Sequence, residues 1–241
     1  MSMIEYERAF FAANPAYDGR FVAAVRTTGI FCRPPCRVRK PLPKNVAYLA
    51  DAAAARAAGY RPCLRCHPEA AGQVTVRQIR TPVGPMTIGA TASAVVLADF
   101  SERRMMPAQL AAVRRRFGPT VSGETTLLDR VQSQLTEFFE GHRNGFDLPI
   151  DLPGSPFQER VWTELQRIPH GTAISYGELA ARVGVPRASR AVGRANGTNR
   201  LAIIVPCHRV VASGGGLGGY GGGLPAKRWL LDLEQAVSRA A

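Results

Sequence analysis

The stretch IIVPCHRVV, residues Ile203–Val211, places a thiol and an imidazole side by side in an otherwise apolar run. The apolar residues predict a strand that enters the core, and Pro206 prevents regular ladder pairing just before the pair. We therefore expect Cys207 at a strand end. A thiol becomes a nucleophile as its thiolate, and a neighbouring imidazole or positive charge is the usual means of lowering its pKa. His208 and Arg209 meet this requirement by position, but a buried structural cysteine beside a surface histidine has the same local sequence.

A glycine-rich loop and an amphipathic helix follow this stretch. The loop, Ser213–Gly223, carries one aromatic residue, Tyr220, and its lack of side chains suits close approach to a flat ligand. A flexible linker has the same composition. The helix begins near Pro225, with apolar residues at helical spacing. The carboxylate of Glu234 on this helix could reach back to His208 and orient its ring. Alternatively, Glu234 is a solvated charge on the helix surface.

Several short motifs occur together in the sequence around Cys207. They are Pro206-Cys207-His208-Arg209-Val210, the preceding Arg190-Ala191-Val192-Gly193 and Asn199, and the following Tyr220-Gly221-Gly222 and Lys227-x-Trp229-Leu230-Leu231-x-x-Glu234. In this combination the chain resembles the O6-alkylguanine-DNA alkyltransferase family from about Val74 to the C-terminus. The resemblance implies a methylated-DNA–protein-cysteine methyltransferase in which Cys207 accepts the alkyl group of O6-alkylguanine, and of O4-alkylthymine, without an organic cofactor.

Composition limits the classes of protein to which the chain can belong. The 241 residues allow more than one core, and 31 Lys and Arg against 18 Asp and Glu give a net charge of +13. A strongly basic chain with positive charge at both ends suggests a polyanion such as double-stranded DNA. The charged N-terminus argues against a signal peptide, and the lack of a long apolar run argues against a membrane span, so we expect a cytoplasmic protein. We also expect a monomer. Five cysteines, an odd number, argue against a disulfide framework.

Four of the five cysteines form two closely spaced pairs. A C-x3-C pair and a C-x2-C pair offer four soft ligands to a tetrahedral Zn²⁺, and the ligands are Cys32, Cys36, Cys63 and Cys66. His67 is a further candidate ligand, but four thiolates already complete the coordination, which favours a surface histidine. Between the pairs we predict a helix from an Asn45 cap to Ala58, ending at Gly59.

The sequence around the cysteine pairs indicates more than a structural zinc site. Thr27–Arg37 and Gly59–Cys66 resemble the N-terminal zinc domain of the Ada family, in which the cysteine matching Cys32 takes a methyl group from a DNA methylphosphotriester. Four thiolates on one Zn²⁺ carry a net charge near −2, which keeps sulfur electron-rich, and methylation would remove one negative charge and favour DNA binding. Basic residues around the cluster are expected phosphate contacts, or else surface charges: Arg33, Arg37, Arg39, Lys40 and Arg65. Full-length Ada proteins also carry an AraC-type activator segment, for which the chain between Ala70 and Val76 has no room.

The middle of the chain has the pattern of a scaffold. Strands are predicted at Val76–Arg80, Met86–Thr91 and Ala94–Phe100, and helices at about Ala108–Phe117 and Thr125–Phe139. An antiparallel sheet with helices laid against it is the economical packing. We therefore predict a multidomain α+β protein with a zinc-knuckle domain (residues 1–72), a sheet-and-helix scaffold (73–150) and a catalytic domain (151–241).

The C-terminal part begins with helix-start signals. Ser155 to Gln158 is a capping box with proline at the first helical position, and a second box, Ser175 to Glu178, opens a helix that ends at Gly184. With a further helix at Pro186–Ala195, this predicts a winged-helix-like helix-turn-helix. The small residues Ala191 and Gly193 favour close approach to a minor groove, although helix packing explains them equally.

Further roles follow from the family resemblance alone. It implies that Arg190 fills the place of the extruded base, that Tyr176 assists extrusion and donates a proton, that Asn199 supports the turn, and that Tyr220 lines the pocket. It also implies that the carbonyls of Cys207 and Val210 accept from the guanine amine. Gly221 stands where some relatives have serine, which suggests a wider tolerance for bulky alkyl groups. In the expected reaction Glu234 orients His208, which takes the thiol proton through a water, and the thioether product consumes the protein in one turnover.

Two other functions remain open from the residues alone. One is a DNA-binding adaptor in which Cys207 is inert. The other is a cysteine hydrolase with a triad formed by Cys207, His208 and Glu234.

Overall fold

The computed structural model describes residues 2–66, 68 and 73–240, without the side chain of Ala240. His67 and most of the predicted joint at residues 70–73 lie outside the described residues. The chain divides into two compact units: the first holds residues 1–74 and 110–121, and the second holds residues 75–109 and 122–241.

The first unit is built on a small mixed sheet. Helix α1, Met3–Phe11, precedes strands β1 (Val22–Val25), β2 (Ile30–Cys32) and β3 (Val46–Leu49), and helix α2 (Ala52–Ala57) leads into β4 (Arg61–Pro62). The strand order is β3-β1-β2-β4, with β4 parallel to β2. Because Phe31 pairs with Pro62 in this parallel register, the next residues, Cys32 and Cys63, emerge at the same end of the sheet. The sheet therefore brings the two distant cysteine pairs together.

The predicted helix from Asn45 to Ala58 is wrong in its first half. Pro43–Asn45 forms a 3-10 turn, and Val46–Leu49 is the edge strand β3, which pairs antiparallel with the whole of β1. The β-branched and aromatic side chains of this segment suit a strand, and pairing with β1 outweighs the local helix signal. The helix begins only after Asp51, whose side chain accepts a hydrogen bond from Ala54 N at 2.8 Å. It ends next to Gly59, which has a φ of +83°, as the glycine suggested.

The central sheet is an antiparallel meander. Strands β5 (Val74–Ile79), β6 (Met86–Ala90) and β7 (Val95–Phe100) pair in succession, and the sheet order is β7-β6-β5-β8 with β8 at Thr120–Ser122. Helix α3 spans Met106–Phe117, and α4 spans Thr126–Phe139 with a Thr125 cap. The apolar face of α4 is buried and contributes Leu128, Val131, Leu135 and Phe138 to the core that also contains β6 and β7. The expected α+β class is confirmed, and α4 packs against the sheet as predicted.

The C-terminal part is mostly helical. It comprises α5 (Pro156–Gln166), β9 (Ile174–Ser175), α6 (Tyr176–Arg182), α7 (Ser189–Asn196), β10 (Val210–Val211) and α8 (Gly223–Ala240), with β9 parallel to β10. The predicted capping box at Ser155 forms in full, and Ser175 caps α6 through Glu178 N. Helices α6 and α7 follow one another across Gly184, and their assignment as a winged helix-turn-helix stays a prediction.

Most of the reactive stretch is not a strand, because only Val210–Val211 belongs to one. Ile203 has a φ of +71°, and Cys207–Arg209 forms a 3-10 turn before β10. Asn199 explains the difference, because its side-chain amide donates to Val205 O at 2.8 Å while its oxygen accepts from Leu201 N at 2.9 Å. This side chain folds residues 199–205 back on themselves. Cys207 therefore stands at the start of a short turn rather than at a strand end.

Candidate active site and metal centre

Cys207 borders a cavity of about 530 Å³, a size typical of small-molecule sites. The predicted site residues Tyr176, Gly193 and Tyr220 line the same cavity, together with Arg103 and Asn196. Cys207 is 7% exposed. The cavity therefore offers an external ligand access to a sulfur atom that is otherwise enclosed.

The two residues that follow Cys207 belong to a buried network of charges. His208 Nε2 is 2.8 Å from Glu234 Oε1, as the sequence predicted, and both side chains are fully buried. Arg209 donates to both carboxylate oxygens of Glu234 and to Ile168 O at 2.6 Å. Arg209 thus faces Glu234, and its positive charge stabilises the ionised form of the Glu234 carboxylate.

Burial and hydrogen bonding together set the protonation of this network. Burial favours the neutral acid at Glu234, but hydrogen bonds from His208 and Arg209 outweigh it and lower its pKa to about 2. Burial lowers the pKa of His208 despite the contact with Glu234, so the resting imidazole is neutral. Its Nδ1 is buried and has no hydrogen-bond partner among the described residues. A neutral imidazole with one nitrogen held by a carboxylate can accept a proton at the other nitrogen.

Cys207 does not have the lowered pKa that its neighbours in sequence suggested. Burial raises the pKa of the thiol to about 11, and a hydrogen bond with Asn199 and the charges of Arg103 and Lys227 offset this only in part. The resting cysteine is therefore a thiol, and the thiolate must form during the reaction.

Two buried residues whose roles were not evident from the sequence hold the backbone around Cys207. Asn196 Nδ2 lies 3.4 Å from Cys207 O. Lys227 Nζ donates to Val210 O at 2.6 Å, to Leu217 O, and to Gly219 O at 3.4 Å. The carbonyls of Cys207 and Val210 thus already have protein partners. The signal in the sequence was a lysine beside the apolar residues of the motif around Trp229, and its full burial means that its ammonium group must meet acceptors.

Arg103 is a further site residue that the sequence did not indicate. Its Nη1 lies 2.5 Å from Asp99 Oδ2 and 3.3 Å from Asn199 O, and its Nη2 donates to Gly197 O. The i, i+4 spacing of Asp99 and Arg103 was visible in the sequence, but nothing local linked the pair to the turn that Asn199 forms.

The surface of α7 carries the predicted DNA contacts. Arg190 and Ala191 are exposed. Gly193 instead faces the Tyr176 ring, because a Cβ added to this glycine would lie 3.7 Å from two ring carbons. Tyr176 lies between α7 and the glycine-rich loop, and its hydroxyl is 3.5 Å from Gly219 O. Tyr176 therefore adjoins the cavity, while Arg190 lies outside it.

The four clustered cysteines form a compact metal site. The sulfurs of Cys32, Cys36, Cys63 and Cys66 are buried and lie within 4.8 Å of one another. Arg33 N lies 3.3 Å from Cys66 Sγ, a contact that favours a thiolate. Among the described residues the cluster contains four cysteines and no histidine or carboxylate, a donor set that fits Zn²⁺.

The basic residues around the cluster differ in accessibility. Arg33 is 6% exposed, and its guanidinium is held by Asp18 and by the carbonyls of Arg114 and Arg115. Lys40 donates to Cys36 O at 2.8 Å and lies over the Phe10 ring. Arg37, Arg39 and Arg65 are exposed. The exposed arginines are available to phosphates, whereas Arg33 is held within its own unit.

Comparison with known proteins agrees with both sites. Residues 156–236 match the family described as 6-O-methylguanine DNA methyltransferase, DNA binding domain, and residues 5–69 match the metal binding domain of Ada. Over 164 residues the chain is 42% identical to the methylated-DNA–protein-cysteine methyltransferase of Mycobacterium tuberculosis, covering 68% of this chain and 94% of that protein. The chain belongs to the methylated-DNA–protein-cysteine methyltransferase family.

Within this family the chain is an Ada-type fusion. It is 30% identical to the bifunctional transcriptional activator/DNA repair enzyme Ada of Escherichia coli over 335 aligned positions, covering 94% of this chain and 95% of that protein. The alignment is longer than the 241 residues of this chain, so it must contain gaps in this chain opposite residues of the Escherichia coli protein. Such gaps agree with the expectation that this chain has no AraC-type segment.

Solved structures support the methyltransferase fold of the larger part of the chain. The crystal structure of the Mycobacterium tuberculosis O6-methylguanine methyltransferase matches with a TM-score of 0.59 and 41% identity, over 68% of this chain and 93% of that one. The same enzyme in complex with DNA matches with a TM-score of 0.60 and 39% identity, over 68% and 94%. Among the described residues of this methyltransferase, no helix has the length and apolar character needed to cross a bilayer.

Proposed function

We propose that this methyltransferase repairs double-stranded DNA by direct reversal, moving the alkyl group of O6-alkylguanine, and of O4-alkylthymine, to Cys207 in a single turnover. The observation that carries the proposal is the cavity that Cys207 lines, together with the buried His208–Glu234 pair that begins at the next residue of the chain. The neighbouring structures of O6-methylguanine methyltransferases, one of them bound to DNA, supply the substrate class.

The substrate base must leave the helix before it can enter this cavity. Extrusion costs a few kcal/mol, which a side chain that takes the place of the base can offset. Arg190, exposed on α7, is the residue we assign to that place, and the small exposed Ala191 lets the helix lie close to the minor groove, while Gly193 leaves room for the Tyr176 ring. Tyr176 and Tyr220 then flank the base in the cavity. In this role α6 and α7 act as the helix-turn-helix of a catalytic domain at residues 151–241.

The transfer is an in-line displacement. The Cys207 proton passes through a water to Nδ1 of His208, and the anionic Glu234 stabilises the imidazolium that forms. The thiolate attacks the alkyl carbon, the S–C bond forms as the C–O6 bond breaks, and the electron pair stays on the guanine. Tyr176 protonates the departing base and regains its proton from solvent, as His208 releases its own. Since a thioether does not hydrolyse under these conditions, each molecule acts once.

The zinc domain supplies a second acceptor in our proposal. Cys32, Cys36, Cys63 and Cys66 hold the metal, which keeps the sulfurs deprotonated and nucleophilic at neutral pH. Cys32 ends β2 and takes a methyl group from a DNA methylphosphotriester, with Arg37 and Arg39 as the exposed phosphate contacts. We assign this activity to a domain at residues 1–72, and a scaffold role to residues 73–150.

Intact-protein mass spectrometry tests the two transfers separately. The zinc-loaded protein is incubated with a duplex carrying O6-methylguanine or a duplex carrying one methylphosphotriester. We expect one added methyl group from each duplex, on Cys207 and on Cys32 respectively. Cys207→Ser should lose only the first addition and Cys32→Ala only the second.

Other outcomes support the alternative functions. Binding of damaged DNA without any added mass would favour an adaptor. Repeated release of methyl product without modified protein would favour a hydrolase. Methyl uptake from O6-methylguanine by Cys207→Ser would contradict the assignment of the nucleophile.

A further inference from the structure

Arg103 stands at a wall of the Cys207 cavity and is firmly held there. Its side chain is 10% exposed and is bound to the carboxylate of Asp99, which is fully buried. The same guanidinium donates to the carbonyls of Gly197 and Asn199. Moving Arg103 would leave a buried carboxylate unpaired, so the guanidinium is a fixed part of the wall.

The guanidinium fills the space beside Gly221. A Cβ placed on Gly221 would lie 2.9 Å from Arg103 Cζ, closer than non-bonded carbons approach. The sequence suggested that glycine here would widen the cavity for bulky alkyl groups. In the structure the space next to this glycine belongs to Arg103.

A second cavity shares lining residues with the first. It has a volume of about 310 Å³ and is lined by Val83, Phe100 and Gly222 among others. Arg103, Arg104 and Gly221 line both this cavity and the one that contains Cys207. Arg104 is exposed, whereas Arg103 is held in place, so Arg103 is the fixed side chain of the two arginines that line both cavities.

We propose that Arg103 sets the upper size limit of the alkyl group that Cys207 accepts, by closing its cavity off from the second cavity. The inference rests on the proposed alkyl transfer and names the residue that determines its specificity. A methyl group is too short to reach far from the guanine oxygen, whereas a longer chain that extends towards Gly221 meets the Arg103 guanidinium that fills the space beside this glycine. Asp99 acts through Arg103 as a positioning residue.

The test compares two substrates in single-turnover reactions. Duplexes carrying O6-methylguanine or O6-n-butylguanine are reacted with the full-length protein and with Asp99→Asn/Arg103→Ala, which removes both members of the buried pair and leaves no unpaired charge. We expect the ratio of butyl to methyl transfer rates to rise about tenfold or more, in line with the discrimination that a few methylenes provide. Loss of structural support alone would slow both reactions and leave their ratio unchanged.

Two further variants keep the test decisive. Arg103→Lys retains the charge next to Asp99 with a narrower head, and should raise the same ratio if the double variant does not fold. Arg80→Ala, an exposed arginine of the same unit, is the matched control and should leave both rates unchanged. A ratio that changes by about twofold or less in folded variants would overturn the role of Arg103. Failure of the unaltered protein to take up methyl would overturn the proposed function itself.

Discussion

Cys207 combines deep burial with the proposed role of nucleophile. Its position predicted a thiol activated by the adjacent His208, but the resting pKa is raised to about 11 because burial outweighs nearby positive charge. Residues adjacent in sequence point in different directions in a 3-10 turn, and here His208 turns to Glu234. Activation therefore depends on proton transfer in the loaded site.

The raised pKa of Cys207 predicts slow reaction with small electrophiles. In the free protein, the rate of carbamidomethylation of Cys207 by iodoacetamide should rise about tenfold per pH unit between about pH 7 and pH 9.5, without a plateau. Peptide mass spectrometry after timed quenching measures the rate, with Cys207→Ser as the blank. A plateau near pH 8.5 would indicate an ordinary thiol and contradict the burial effect.

Glu234 should make the fold sensitive to acid. Its pKa is about 2 in the folded protein and near 4.5 when unfolded, so its stabilising contribution is complete above pH 4.5 and is lost as the pH falls from 4.5 towards 2. Glu234→Gln leaves Arg209 buried without its partner, and should lower the free energy of unfolding at pH 7 by about 3 kcal/mol. Urea unfolding at pH 7 and at pH 3.5 measures both effects.

The neighbouring helix position supplies the control for Glu234. Asp232→Asn alters an exposed carboxylate of the same helix and should change stability by less than about 0.5 kcal/mol. An equal loss of stability from both variants at both pH values would show that the buried network does not contribute as described.

At the scale of elements, Lys227 connects α8 to the glycine-rich loop. Three carbonyls of residues 210–219 accept from one ammonium group, in a segment with few side chains to hold it. Burial lowers the pKa of Lys227 to about 8, so the charged form with three donors still predominates at neutral pH. The order of the loop should therefore depend on this side chain.

Lys227→Met removes these hydrogen bonds while keeping an unbranched side chain. We expect faster cleavage within residues 213–223 by a non-specific protease, and at least a tenfold slower methyl transfer, because Tyr220 loses its support. Arg228→Met on the exposed side of the same helix is the control. Cleavage of this loop at the wild-type rate in Lys227→Met would contradict the proposed role.

Local signals predicted some elements well and failed for others. The capping box at Ser155 and the periodic face of α4 are encoded within a few residues, and both were confirmed. The segment Val46–Leu49 and the stretch before Cys207 depend on partners elsewhere, namely β1 and the Asn199 side chain. No periodicity within a short window carries that information.

At the scale of the whole molecule, some residues of the candidate sites could be predicted from the sequence and others required the structure. Cysteine spacing predicted all four metal ligands, and motif resemblance predicted the contact of His208 with Glu234. Arg103 of the Asp99–Arg103 pair contacts carbonyls that lie 94 and 96 residues further along the chain, at Gly197 and Asn199. Such contacts come from the tertiary fold, so the shape of the Cys207 cavity needed the structure.

Removal of zinc should affect the two transfers differently. Chelation removes the metal ion that the four buried cysteines share. We therefore expect the first unit to lose its cooperative thermal transition together with methylphosphotriester uptake. Transfer from O6-methylguanine to Cys207 should persist, because its acceptor lies in the second unit. Calorimetry and mass spectrometry before and after chelation check this, and re-addition of Zn²⁺ should restore the first unit.

The buried, protonated state of Cys207 also governs how long an unused molecule stays competent. A protein that is spent by a single event cannot tolerate adventitious loss of its sulfur to peroxides or stray electrophiles, which attack thiolates far faster than thiols. The fold keeps Cys207 protonated until a lesion fills the cavity, so unused protein molecules stay active. The number of such molecules sets the number of lesions that the cell can repair.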